Sequence, residues 1–170
     1  MRHWLIALAL FCTGALAEPR DPGNHFFQPK LGDLKADLDA ARTEGKRGIL
    51  LMFEMDDCPF CKRMKQSVLN QSEVQDYYRR HFLIYAMDTK GDTPMTDFGG
   101  QDTTEKAFAL NQRARATPAF IFYDLTGAPV ARYTGATQTV EEFMQLGRYV
   151  AEGHYRNGPF SAYRRQSGTQ

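Results

Sequence analysis

The sequence predicts an α/β domain with a mixed central β-sheet and helices on both of its faces. Three observations carry that class. Two continuous apolar runs of strand length, GILLMFEM (48–55) and FLIYAMD (82–88), are separated by residues patterned as helix, the layout of buried parallel strands joined by a crossover. A second pair, AFIFYD (119–124) and VARYTG (130–135), is separated only by the turn LTGAP and reads as an antiparallel hairpin. Amphipathic segments stand before, between and after these strands, so each sheet face has a helical cover.

The elements follow in order. Residues 1–17 combine a basic start (Arg2, His3), an apolar run from Trp4 to Leu16 and the small residues of Ala15-Leu16-Ala17, which predicts a secretory signal peptide removed ahead of Glu18. The run is shorter than the roughly 20 residues that span a bilayer. Cys12 is expected to leave with it, because the bulky Leu10-Phe11 before it does not fit a lipid-anchored cysteine. Residues 18–30 are rich in proline and charge and read as a loose lead-in to a domain over 31–153. Leu31, Leu34, Leu38 and Ala41 share one helical face, ending near Gly45. After the first strand, Pro59 suits the first turn of a helix running to about Leu69. Ser72 and Glu73 start a short helix before the second strand, 89–102 is a polar, glycine-rich loop, and Thr103 or Thr104 caps a helix through Leu110. TVEEFMQLGRYVAEG (139–153) is the final amphipathic helix, and 154–170 is expected to be a flexible tail.

Loss of residues 1–17 removes one basic residue, Arg2, and no acidic one, leaving twenty of each sign and a formal net charge of zero. Nothing there recruits nucleic acid, and the expected state is a monomer. The cysteine count is sharper. Only Cys58 and Cys61 remain, within DDCPFCKRM (56–64), in a compartment where disulfides persist. A bond across two residues closes too small a loop to constrain an unfolded chain, so a structural staple is a poor explanation. Met55, Cys58, Cys61 and Met64 form a soft set that could bind Cu(I), the alternative reading. Methionines at a strand end and on a helix are, however, usual core filler, and zinc lacks a second ligand pair, so no metal is expected.

A Cys-x-x-Cys that follows a buried strand and opens a helix is a redox arrangement. Cys58 at the helix N-terminus has its thiolate favoured by free backbone N–H groups, while Cys61, one turn further in, is placed to resolve a mixed disulfide. Asp56 and Asp57 should raise the Cys58 pKa and Lys62 and Arg63 lower it, with Asp57 and Lys62 the nearest modulators. A moderately acidic thiol is the expected result.

From Gly48 to Ala151 the chain resembles the thioredoxin superfamily, on CPFC after an apolar strand and on ARATPAFIFYDLTGAPVARYTGA (114–136). Within it the chain looks most like secreted bacterial thioredoxin-like proteins of sulfur-oxidation and cytochrome-maturation systems. The resemblance implies a thioredoxin-like fold, a cis Pro118 beside the cysteines, and a Thr117 backbone exposed for pairing with an extended substrate. It also implies a periplasmic thiol–disulfide oxidoreductase acting on disulfides of exported proteins, with no cofactor beyond the Cys58–Cys61 disulfide itself. The chain has no nucleotide-binding motif, so a membrane thiol relay is the expected electron donor. Two positions depart from the family. Met52 stands where a buried aspartate usually relays protons; Glu54, on the same strand face, either takes over that role or faces solvent. Asp57 replaces the usual tryptophan.

Overall fold

The computed structural model describes residues 18–167; the expected signal peptide and Cys12 lie outside them. Its main sheet has four strands: β1 (Gly48–Glu54), β2 (Phe82–Asp88), β5 (Ala119–Tyr123) and β6 (Pro129–Thr134). Their spatial order is β2-β1-β5-β6, with β1 parallel to β2 and the β1–β5 and β5–β6 pairs antiparallel. The mixed sheet is therefore as expected.

Strand β1 is central, so alternate residues feed two cores and the whole run is apolar. Leu50 and Met52 join the core formed with α3 (Pro59–Ser67), α4 (Ser72–His81) and α6 (Val140–Ala151). Ile49, Leu51 and Phe53 join the one formed with α2 (Leu34–Thr43) and α5 (Glu105–Asn111). The helices start where side chains satisfy their free N–H groups: Asp33 Oδ1 accepts from Ala36 N (2.9 Å), Thr104 Oγ1 from Ala107 N (3.2 Å) and Thr139 Oγ1 from Glu142 N (3.1 Å). Close approach demands glycine at positions 48 and 147. A Cβ on Gly48 would lie 2.0 Å from Tyr123 O, and one on Gly147 would lie 2.8 Å from the Tyr78 ring, which stacks on Phe143 at 4.5 Å.

Four stretches differ from expectation. Leu31 is not part of the first long helix, which begins at Leu34 behind its Asp33 cap; Leu31 is 86% exposed. The lead-in is not loose. It carries the short helix α1 (Pro22–His25), buries Phe26 and Phe27, and closes the open edge of β2: Gln28 N donates to Ile84 O (2.9 Å), and Gln28 Oε1 accepts from Ile84 N (2.7 Å). An unpaired edge would leave these groups exposed, and one glutamine supplies both partners. Within and just after 89–102, β3 (Pro94–Thr96) and β4 (Asp102–Thr104) form a ribbon that buries Met95 and is fastened by Thr96 N to Gly32 O (2.7 Å).

The expected flexible tail is also ordered. A 3-10 turn (His154–Arg156) leads to α7 (Phe160–Ser167), whose Phe160 and Tyr163 pack on the Tyr149 ring at 5.4 and 5.6 Å. Tyr149 Oη donates to Gly158 O (2.7 Å), and Arg164 pairs with Glu142 of α6. Aromatic burial outweighs the polar composition of the segment. The ordered unit thus extends beyond 31–153 at both ends. No helix among the described residues is long and apolar enough to cross a membrane.

Candidate active site

Strand β1 delivers the chain to a tight turn in which Cys58 N donates to Met55 O (3.2 Å). Cys58 is the N-cap of α3 and Pro59 occupies the first turn, where a missing N–H costs nothing. The Cys58 sulfur accepts from Cys61 N at 3.2 Å, in the place of a side-chain oxygen at an ordinary helix cap. Both cysteines are free thiols, Cys58 4% and Cys61 2% exposed. The Thr117–Pro118 peptide is cis. The Thr117 carbonyl lies 3.4 Å from Cys58 Sγ and accepts a hydrogen bond from the thiol. Thr117, 59 residues further along the chain, thus shares one site with Cys58, and Pro118 follows it directly.

The two thiols are electrostatically unequal. Burial raises the Cys58 pKa, but hydrogen bonds from Cys61, from the Thr117 side chain and from the Cys61 and Phe60 backbone outweigh it and hold the thiol below its ordinary value. Burial and the hydrogen bond to Cys58 push the Cys61 thiol well up. The largest causes are burial and the groups of the first turn and Thr117, together with the charge of Cys58 acting on Cys61. Asp57 is exposed and lies 3.4 Å from Lys90, and Lys62 projects from the outer face of α3. Water screens both.

Glu54 is engaged elsewhere. Its carboxylate lies 2.6 Å from Lys65 Nζ, tying the end of β1 to α3, and the same ammonium sits over the Phe27 ring at 5.7 Å. It is neither purely solvent-facing nor among the largest causes of either thiol's shift. Met64 is fully buried and its sulfur accepts from Thr137 Oγ1 at 3.6 Å, so it serves the core. Among the described residues no cluster of three or more His, Cys, Asp or Glu could hold a metal ion.

Sequence reading missed a second ion pair, whose lysine feels the charge of Glu54. Lys30 Nζ donates to Ala86 O (3.0 Å) and pairs with buried Glu105, whose other oxygen accepts from Asp88 N (2.9 Å). Burial lowers the Lys30 pKa against the pull of Asp88 and Glu54. Its partners are 75 residues apart, and Glu105 reads locally as an ordinary first-turn acid, so no local signal marks the pair.

A thioredoxin-like domain model matches residues 34–151. The chain belongs to the thioredoxin-like family. Solved structures agree on the fold. A thioredoxin-fold protein from Helicobacter pylori is 20% identical with a TM-score of 0.60, over 74% of this chain and 88% of its own. A DsbH oxidoreductase is 15% identical with a TM-score of 0.59, over 86% and 95% respectively. A thioredoxin from Thermus thermophilus is 25% identical with a TM-score of 0.52, over 66% and 79%. No curated protein matches the sequence. In this thioredoxin-like protein, the Cys-x-x-Cys pair opens a helix at the carboxyl end of a central strand, and the antiparallel neighbour of that strand starts directly after a cis-proline.

Proposed function

We propose that this thiol–disulfide oxidoreductase reduces disulfides of exported partner proteins, with Cys58 attacking and Cys61 resolving. The observation that carries the reading is the inequality of the two thiols: Cys58 is held below its ordinary pKa at a helix N-cap, and Cys61 is pushed above it one turn inside.

Cys58 loses its proton to solvent and its thiolate attacks one sulfur of a substrate disulfide. The S–S bond breaks, and the departing substrate thiolate takes a proton. Deprotonation also ends the Cys58 donation to Thr117 O, leaving that carbonyl free to accept an N–H from an extended substrate. Cys61 then deprotonates and attacks Cys58 Sγ. The Cys58–Cys61 disulfide forms and the second substrate thiolate leaves and is protonated. Two electrons pass from the protein dithiol to the substrate, and an external dithiol must restore them. The lack of a nucleotide-binding motif favours a membrane thiol relay as that donor, and the signal-like residues 1–17 favour action in the periplasm.

Cys61→Ser should accumulate stable mixed disulfides with partner proteins, visible on non-reducing gels, whereas Cys58→Ser should trap none and lose insulin reduction in the presence of dithiothreitol. Trapping by Cys58→Ser through Cys61 would overturn the assignment.

A further inference from the structure

We propose that the preferred substrates present their disulfide within an acidic extended segment, recognised by a basic rim of Lys62, Arg63 and Arg115 around exposed Phe60. This specificity rests on the reductase reading above. The rim is assembled from two separate stretches of chain. Phe60, Lys62 and Arg63 lie on the outer face of α3, and Arg115 lies in the loop before Thr117. The 3.4 Å contact between Cys58 Sγ and Thr117 O brings the two stretches together at the thiol. Arg115 is two residues from Thr117, so their Cα atoms lie at most about 7 Å apart.

All three cations are exposed, and none is paired with a carboxylate among the described residues. Phe60 is 53% exposed, one of few large apolar side chains left in water, and Arg63 sits over its ring at 5.4 Å. The pairing holds a guanidinium beside an apolar surface two residues from Cys58. The opposing charges are Asp56 and Asp57, and Asp57 is partly offset by Lys90 at 3.4 Å. The local excess is therefore positive, in a chain whose charges balance once residues 1–17 are set aside. Such a rim favours encounter with acidic segments and disfavours basic ones.

The test compares three synthetic peptides that share one intramolecular disulfide and differ only in flanking residues: glutamates, glutamines or lysines. The full protein reduces them under turnover by dithiothreitol, at low and at high salt. The expected order of kcat/KM is acidic, neutral, basic, with an acidic-to-basic ratio of about tenfold at low salt that shrinks as salt screens the rim. In Lys62→Glu/Arg63→Glu/Arg115→Glu the ratio should fall below one. Equal rates at low salt, a preference for the basic peptide, or a ratio untouched by charge reversal would each overturn the proposal. Reduction of none of the peptides by the wild-type protein would instead sink the reductase reading, and the specificity with it.

Discussion

Cys58 and Cys61 differ in what surrounds each sulfur rather than in chemistry, and alkylation measures that difference. Only the thiolate reacts, so the rate for each cysteine rises with pH through its pKa. Cys58, held below its ordinary value of 9.0, should react with iodoacetamide in a sigmoid centred below pH 9. Cys61, pushed above the same value, should still resist there. Mass spectrometry of peptides from protein alkylated across that range assigns each curve, and labelling of Cys61 first would reverse the roles. Glu54 gives a second test at this scale. Its pair with Lys65 is partly exposed, so Glu54→Gln should cost no more than about 1 kcal/mol in urea unfolding. The Cys58 alkylation curve should stay in place. A displaced curve would return Glu54 to the proton-relay role that its strand position implies.

The elements most legible in the sequence are those whose burial is complete. Strands β1 and β5 are apolar on both faces, so GILLMFEM and AFIFYD announce themselves without any knowledge of partners. The same completeness made Cys58 legible, since a cysteine pair at the end of such a strand has one place to go. What was missed depends on partners remote in sequence. Gln28 looks like any polar lead-in residue until Ile84, 56 positions on, offers its N–H. Phe160 and Tyr163 are two aromatics among arginines until Tyr149 supplies a surface. Both ends are thus predicted to be structural. Lys30→Met leaves the Glu105 carboxylate buried without its cation and should cost about 3 kcal/mol or more, while adding Glu105→Leu should recover much of the loss. Truncation after Gly153 uncovers Tyr149 and Tyr133 and should lower stability by about 2 kcal/mol. Urea unfolding of each variant checks both, and a truncated chain as stable as the parent would make the tail dispensable.

At the scale of the whole molecule, the reduction potential reports how much more stable the folded protein is with its thiols reduced than with its disulfide closed. A strong oxidant has a heavily stabilised thiolate in its reduced form and lies near about −120 mV, whereas thioredoxin lies near about −270 mV. Here the Cys58 thiolate is stabilised chiefly by hydrogen bonds from the first turn of α3 and from Thr117. Asp56 and Asp57 precede it and oppose further stabilisation. The Cys61 thiol, buried and hard to ionise, adds nothing to the charged form. Modest stabilisation of the reduced state places the couple between about −200 and −270 mV, since each 30 mV corresponds to roughly 1.4 kcal/mol. Equilibration with defined ratios of reduced and oxidised glutathione measures it directly. By the same linkage, the disulfide form should melt no lower than the dithiol form, because a couple in this range lacks the surplus stability of a reduced oxidant. A potential above about −150 mV, together with a dithiol form that melts higher, would place the protein among oxidants and reverse the direction of electron flow proposed for it.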